Sequence, residues 1–318
     1  PSLATAYNDR GEIYVSKSYT DKDPDLVKRA LADFTQAIRL QPDLEPAYSN
    51  RGGLYLRRKD YTAALKDYDE AIRLRPYLGL FNDRGLIHEN LGSLDLALAD
   101  LDEAVRLKPT FFLPLMNRAR VNEKLGRFDL ALTDLNKAVE DDPLYVALNR
   151  RGVFYTSRGR FDLAAQDFAR IVKKVPDEII MRNINFEFAR VYLNRGNMFY
   201  EKGEFQKAVT DYTTAIGIND HAESFFIARA RAYLRLAQRK KVSSDLDAAV
   251  KLNPEMERNP EVQALRAGIN GPGAPLPVPT LAPAATAPAI LPAPPAAVRP
   301  SERRLAFVVG VNQYSNLS

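Results

Sequence analysis

Apolar residues recur through most of the chain at steps of three and four, a spacing that places them on one face of a helix. The stretch that holds Ala64, Leu65, Tyr68, Ala71 and Ile72 shows this spacing clearly. A helix with one apolar face buries that face against its neighbours. The pattern continues to about residue 258 and therefore predicts an all-α fold of packed amphipathic helices.

Two short phrases alternate through this region and divide it into seven units. One phrase opens a unit, as in "AYSNRGGLY" and "LFNDRGLIH", and the other closes it, as in "ALKDYDEAIRLRP" and "ALADLDEAVRLKP". The glycine of the opening phrase recurs after 33 residues from Gly52 to Gly85, which is room for two helices and tight turns. A second glycine between the phrases and a proline after the closing phrase are typical helix ends.

These phrases resemble a tetratricopeptide repeat array over residues 4–258. The family's small residue, aromatic residue, alanine and closing proline all occur, although its first-position tryptophan is replaced by Tyr, Phe or Leu. The resemblance implies a helix–turn–helix solenoid of about seven repeats, with the array spanning residues 1–258. A further helix at 259–270 is expected to cover the last repeat, because the end of a solenoid has no neighbour.

Two units are longer than the others. The first carries extra residues around "SKSYTDKDPD", which predict a longer turn between its helices. The second insertion, "DEIIMRNINFEF", holds Ile179, Ile180, Ile184 and Phe188 at helical spacing. It predicts that the first helix of the sixth unit extends backward rather than following a loop.

Every unit carries an arginine before the Gly or Ala of its opening phrase and an aspartate at one fixed place in its closing phrase. The planar guanidinium can bond a carboxylate twice, so we predict seven ion pairs between the two helices of each unit. The pairs are Arg10–Asp33, Arg51–Asp67, Arg84–Asp100, Arg118–Asp134, Arg151–Asp167, Arg195–Asp211 and Arg229–Asp245.

In arrays of the family it resembles, the first helix of each unit lines a concave face, and asparagines recur there. Amide side chains both donate and accept hydrogen bonds, which suits an extended peptide backbone. The candidate peptide-binding residues are Asn8, Asn50, Asn82, Asn117, Asn149 and Asn194, with Arg120, Arg150, Arg190 and Arg231 favouring an acidic peptide. The alternative is that asparagine is tolerated on a solvated helix face. Glu12 and Asp83 stand where the carboxylate clamp of related co-chaperones needs Asn or a basic residue, which disfavours chaperone-tail binding.

Other chemistry is scarce. The chain has no cysteine and only two histidines, far apart, so we expect no disulfide, catalytic residue, metal site or cofactor within it. Its net charge of +5 comes from 45 basic and 40 acidic residues mixed along the chain, so we expect no nucleic-acid partner. No apolar stretch reaches the roughly 18 residues of a membrane span. Localisation stays open between the cytoplasm and export, since the first residue is Pro1.

The last part of the chain differs in composition. Residues 271–300 are rich in proline and alanine and predict an extended tether. Residues 301–318, with the apolar run from Leu305 to Val309 closed by Gly310, predict a buried strand of a parallel sheet.

This strand resembles the first strand of the bacterial caspase-like (peptidase C14) cysteine protease domain. The residues that carry the likeness are Arg303, Arg304, Leu305, Ala306, Val308, Val309, Gly310, Asn312 and Tyr314. The alternative is the first strand of another doubly wound domain. The resemblance implies that the catalytic His and Cys follow residue 318, so we expect a truncated domain and a chain that is inactive alone.

These observations predict a module that recruits a substrate or regulator for a caspase-like cysteine endopeptidase. The alternative is a non-enzymatic scaffold that binds extended peptides. Either protein would take a protein or an extended peptide as its partner.

Overall fold

The computed structural model describes residues 2–20, 23, 25–140, 146–173 and 178–270. Within these residues the chain forms fifteen α-helices, one short 3-10 helix and no strand. The predicted all-α fold is therefore confirmed. The predicted tether at 271–300 and the predicted strand at 301–318 lie outside the described residues.

The chain divides into two compact units, and the first ends at Ala147. Its helices pair in chain order into repeats one to four, and each packs on the helix that follows it. They are α1 (Leu3–Thr20), α2 (Asp25–Leu40), α3 (Glu45–Arg57), α4 (Tyr61–Leu74), α5 (Leu78–Asn90), α6 (Leu94–Leu107), α7 (Phe112–Lys124) and α8 (Phe128–Glu140).

The second compact unit begins at Leu148 and holds repeats five to seven with the C-terminal helix. Its helices are α9 (Val146–Ser157), α10 (Phe161–Val172), α11 (Glu178–Glu201), α12 (Phe205–Ile218), α13 (Glu223–Arg235), α14 (Arg239–Leu252) and α15 (Pro260–Asn270). The 3-10 helix Pro254–Arg258 precedes α15, and α15 packs on α13 and α14. Val262 and Leu265 of α15 are fully buried in the core of this unit.

The two repeats that carry extra residues, the first and the sixth, differ from each other. The prediction of a longer turn in the first repeat is wrong in its main part, because α1 continues as a helix to Thr20. The extra turns are held by Tyr19, whose ring lies 4.3 Å below the Arg57 guanidinium and whose hydroxyl accepts a hydrogen bond from it. The prediction for the sixth repeat is confirmed, since α11 is a single helix of 24 residues.

Four repeats end their first helix on a glycine with a left-handed backbone, as the sequence predicts. The φ angles of Gly92, Gly126, Gly159 and Gly203 lie between 69° and 78°. In the second and seventh repeats the same place holds Lys59, with φ of 61°, and Ala237, with φ of 56°. A side chain makes this conformation unfavourable, so these two turns are less relaxed than the other four.

All seven predicted ion pairs are present in the described residues, so this prediction is confirmed. In each pair Nε donates to one aspartate oxygen at 2.7–2.9 Å and Nη2 donates to the other at 2.6–2.8 Å. The aspartate side chains are only 3–8% exposed. The arginines are mostly buried except Arg10, which is 55% exposed at the start of the array.

The remaining nitrogen of the same arginines extends the bond to the preceding repeat. Nη1 of Arg84 donates to Asp69 of α4 at 2.7 Å, and Nη1 of Arg118 donates to Asp102 of α6 at 2.8 Å. Nη1 of Arg51 reaches the Thr35 hydroxyl of α2 at 3.1 Å in the same way. Each of these arginines therefore joins three helices, two of its own repeat and one of the repeat before it.

The C-terminal helix continues this arrangement. Arg266 of α15 donates to Asp247 of α14 at 2.9 Å, and Asp247 stands two residues after the paired Asp245. Asp69 and Asp102 hold the equivalent places in their repeats. The C-terminal helix α15 therefore bonds to the seventh repeat in the way that the first helix of an eighth repeat would.

The glycine after the arginine allows the two helices of a repeat to touch. A Cβ at Gly196 would lie 2.6 Å from the ring of Tyr212, and one at Gly11 would lie 2.6 Å from the ring of Phe34. The two repeats with alanine at this place have leucine, not an aromatic ring, at the facing place in the second helix. Gly85 in the third repeat also faces a leucine, Leu101, so glycine accompanies either kind of facing side chain, whereas alanine accompanies leucine alone.

Candidate functional site

The odd-numbered helices present the side chains that the sequence assigns to peptide binding. In the first unit these are α1, α3, α5 and α7, and their common surface is called here the first-helix face. Asn8, Asn50, Asn82 and Asn117 lie on it but are buried, with 1–4% of each residue exposed. Asn149 on α9 and Asn194 on α11 are partly buried.

The four buried asparagines bond to each other in pairs across neighbouring repeats. Nδ2 of Asn50 donates to Oδ1 of Asn8 at 3.0 Å, and Nδ2 of Asn117 donates to Oδ1 of Asn82 at 2.8 Å. Asn8 and Asn50 also both donate to one oxygen of Glu12, at 3.1 and 2.8 Å. These amides already serve to join repeats, so their binding of a peptide stays a prediction.

Asp83 of α5 lies beside the second asparagine pair and has no ion-pair partner among the described residues. The Tyr68 hydroxyl and the Asn82 amide each donate to its carboxylate at 3.1 Å. Burial outweighs these two hydrogen bonds and raises the pKa of Asp83 to about 7. This carboxylate is a buried proton-binding group in the middle of the first unit.

Three of the four predicted peptide-binding arginines are bonded to carboxylates of the chain itself. Arg120 of α7 bonds Glu89 of α5 through Nε at 2.7 Å and through Nη2 at 2.5 Å. Arg190 bonds Glu187 one turn earlier on α11 at 3.0 Å. Arg231 of α13 bonds Glu261 of α15 through Nε at 2.8 Å. Arg150 of α9 is itself 9% exposed.

Glu89 is the centre of the most strongly bonded cluster on the first-helix face. Besides Arg120, it accepts a hydrogen bond from Lys124 at 2.8 Å. Burial acts to raise the pKa of Glu89, but the two cations outweigh burial and hold that pKa below its usual value. Nη1 of Arg120 is buried and has no hydrogen-bond partner within the described residues.

An open groove of about 510 Å³ lies at the other end of the same face, between α1, the start of α3 and the turn from α4 to α5. We call it the first groove. Its lining residues are Thr5, Asn8, Asp9, Glu12, Leu44, Glu45, Pro46, Arg75 and Tyr77. Ligand pockets commonly have volumes of roughly 300–1,000 Å³, so the first groove is large enough for a side chain or short peptide segment.

Glu45 is the most unusual group of the first groove. Only 7% of it is exposed, and its Oε1 is buried without a hydrogen-bond partner in the part of the chain that the structure describes. Burial raises the pKa of Glu45, and the hydroxyls of Ser49 and Tyr77 with the charge of Arg75 offset this only in part. The asparagine pattern gave no hint of this residue, which comes first in its helix and five places before Asn50.

Comparison with known proteins agrees with this architecture. Models described as "Tetratricopeptide repeat" match residues 46–78, 78–111, 116–179 and 189–221, together about half of the chain. The chain belongs to the tetratricopeptide repeat family. Tetratricopeptide solenoids present extended surfaces to other proteins, so the array is a protein-interaction module.

Curated tetratricopeptide relatives are similar over short stretches. The chain is 33% identical over 72 residues to the mitochondrial import receptor subunit TOM70 of Rattus norvegicus, covering 21% of this chain and 12% of that protein. It is 30% identical over 84 residues to the protein O-mannosyl-transferase TMTC1 of Homo sapiens, covering 26% of this chain and 9% of that protein. The chain thus spans about a tenth of the length of these relatives.

Solved tetratricopeptide structures are similar at low identity. A repeat protein from Parabacteroides merdae aligns with a TM-score of 0.48 at 18% identity, covering 82% of this chain and 99% of that one. YrrB, described as a TPR protein with an unusual peptide-binding site, aligns with a TM-score of 0.42 at 23% identity, covering 54% and 87%.

Two further features are absent from the described residues: a metal-binding cluster and a membrane-spanning helix. No three carboxylate or histidine side chains there come together to hold a metal ion. None of the helices described is both long enough and apolar enough to span a membrane.

Proposed function

We propose that the array binds an extended peptide segment of a protein partner along its first-helix face. The observation that carries the proposal is the first groove, an open space on that face whose lining is mostly polar and includes Glu45, which has a buried oxygen without a hydrogen-bond partner in the described residues. A peptide supplies both side chains and backbone groups that can satisfy such atoms. TOM70, which is similar over 72 residues, is named a receptor subunit, and that name is in keeping with the proposal.

A selection experiment with a matched pair of variants tests this proposal. Peptides are selected from a random dodecamer library on the intact chain, and their dissociation constants are measured by fluorescence anisotropy. Thr5→Arg places a bulky side chain in the first groove, whereas Thr62→Arg places it on an exposed part of α4. We expect the first variant to lose the selected peptides and the second to keep them. Failure to select any peptide, or equal binding by both variants, would contradict the proposal.

The preference for acidic peptides is the weaker part of the sequence prediction. It depends on Arg120, Arg150, Arg190 and Arg231, and three of these charges are already matched by Glu89, Glu187 and Glu261. Nη1 of Arg120 is a buried donor without a partner in the described residues, so it is not exposed to an acidic ligand either.

We also propose that the array serves a caspase-like cysteine endopeptidase. The support is that the segment from Arg303 to Tyr314 resembles the first strand of the caspase-like domain. This segment lies outside the described residues. In such an enzyme a Cys thiolate activated by His attacks the scissile carbonyl, and the tethered array raises the local concentration of the substrate. Expressing the whole reading frame and assaying peptide hydrolysis, with and without iodoacetamide, tests this. A product that lacks thiol-dependent hydrolysis would support the non-enzymatic scaffold instead.

A further inference from the structure

The unfilled polar atoms around the first groove are all hydrogen-bond acceptors. Oε1 of Glu45 and Oδ1 of Asn50 are both buried and have no partner within the described residues. The neighbouring amide donors are already used, because Nδ2 of Asn8 and Nδ2 of Asn50 both donate to Glu12, and Nδ2 of Asn50 also donates to Oδ1 of Asn8. A ligand that fits this groove therefore has to bring donors.

The charge of the first groove points to the same kind of ligand. Three carboxylates line it, from Asp9, Glu12 and Glu45, whereas Arg75 is its one lining cation and is exposed. Glu45 is the first residue of α3, where the partial positive charge of the helix start favours its ionised form. Among the described residues, none of these three carboxylates has an ion-pair partner within 4 Å.

We propose that the first groove binds the cationic side chain, lysine or arginine, of a peptide segment. This inference rests on the proposed peptide-binding function and specifies its ligand. Lysine and arginine carry several donors and no acceptor, which matches a groove whose buried atoms without partners, Oε1 of Glu45 and Oδ1 of Asn50, are both acceptors. A bound ammonium or guanidinium would donate to the buried Glu45 carboxylate, which has no ion pair within 4 Å in the described residues and is only partly offset by the charge of Arg75.

A metal ion is the other cation that carboxylates attract, and the geometry disfavours it. Metal sites gather several oxygen ligands around one point. The carboxylates of the groove do not converge in this way, since no group of three metal-ligating side chains lies together in the part of the chain described. A long flexible side chain can instead reach one buried oxygen from the open side of the groove.

The dodecamers selected on the intact chain test the inference. We expect them to be enriched in lysine or arginine at one position, and replacing that residue by methionine should weaken binding about 10- to 100-fold, the usual value of a charge-assisted hydrogen bond. Glu45→Gln should abolish the difference between the basic and the methionine peptide. Glu103→Gln removes the same charge from α6, where Glu103 bonds Arg106, and should leave the difference intact.

A second variant guards against misfolding of Glu45→Gln. Asp9 is exposed on the wall of the groove, so Asp9→Asn cannot disturb the core. It should reduce the preference for the basic peptide by a smaller factor, about twofold to fivefold, as expected for an exposed charge pair. Peptides that bind without a basic residue, or a preference that survives in both variants, would overturn the inference and leave peptide binding standing. If no peptide is selected at all, peptide binding itself fails.

Discussion

Glu45 in the first groove and Glu89 in the third repeat are both more than nine-tenths buried on the same face, yet their pKa values move in opposite directions. Burial raises the pKa of Glu45, which has no ion pair. Burial acts the same way on Glu89, but Arg120 and Lys124 outweigh it and lower the pKa. Burial alone therefore does not determine the role of a carboxylate. Glu89 has cationic partners in the chain and is structural, whereas Glu45 has no ion pair in the described residues and is available to a ligand.

The ion pairs of the first and fourth repeats also differ in how much of the arginine is exposed to solvent. Arg10 in the first repeat is 55% exposed, whereas Arg118 in the fourth repeat is 22% exposed and also bonds Asp102. The ion pair of the first repeat is thus more open to solvent than that of the fourth repeat, whose arginine also bonds the repeat before it.

The largest expected effect comes from breaking a closed pair. Asp134→Ala removes both bonds of the Arg118 fork and should lower the free energy of unfolding by about 3 kcal/mol, because a mostly buried cation loses its buried counter-charge and keeps only the exposed Asp102. Asp33→Ala is the matched variant in the first repeat and should cost clearly less, since Arg10 can be hydrated. Urea unfolding of the three proteins measures the difference. Equal losses would remove the contrast between the two regions.

A smaller effect should follow from neutralising the two glutamates. Glu89→Gln weakens the bonds from Arg120 and Lys124 and should cost about 2–3 kcal/mol, the value of hydrogen bonds to a charged group. Glu45→Gln should leave stability unchanged or slightly higher, because it removes a buried charge that has no ion pair in the described residues, while the amide can still accept from Ser49 and Tyr77. Thermal unfolding of both variants gives the comparison, and a large loss in Glu45→Gln would show that this carboxylate is structural after all.

The buried Asp83 should make stability depend on pH. Its pKa is about 7 in the folded chain and 3.8 without burial, so between these values the folded state holds a proton that the unfolded state has released. The free energy of unfolding should therefore fall as pH rises from about 4 to 7, by at most about 1.4 kcal/mol per pH unit. Asp83→Asn should lack this part of the slope. Parallel curves for the two proteins would contradict the assignment.

The smallest effect concerns the turn of the second repeat. Lys59 has the left-handed backbone that Gly92 and Gly126 have in the third and fourth repeats. Lys59→Gly should raise the free energy of unfolding by about 1 kcal/mol, because glycine adopts this conformation without strain. Arg58→Gly is the control, since Arg58 has an ordinary right-handed conformation, and it should give no gain.

Repetition explains how much of this fold could be predicted from the sequence. Because each Arg and Asp recurs at a fixed place in seven units, one hypothesis about a pair was tested seven times within one chain. The length of α11 was predictable for the same reason, since Ile184 and Phe188 keep the helical spacing. The extension of α1 was not, because it depends on the contact of Tyr19 with Arg57, two residues 38 positions apart.

The candidate site was harder to predict because it breaks the repetition. The asparagines recur, and recurrence indicates packing as readily as binding, as the bonds of Asn50 to Asn8 and Asn117 to Asn82 illustrate. Glu45 has a counterpart in only one other repeat, Glu223 at the start of α13, which is less buried, so no recurring pattern marked Glu45. Its importance comes from burial without a partner, a property that depends on how three segments meet in space.

The arginine that reaches back to the preceding repeat has a consequence for how the array folds. Solenoid stability is approximately a sum of terms within repeats and terms between neighbours. One guanidinium contributes to both, so the energy that folds a repeat is coupled to the energy that docks it on the one before. Removing only the backward partner, as in Asp102→Ala, would weaken docking while leaving the repeat intact. The sharpness of the unfolding transition would then fall before its midpoint does, because neighbouring repeats would begin to melt independently.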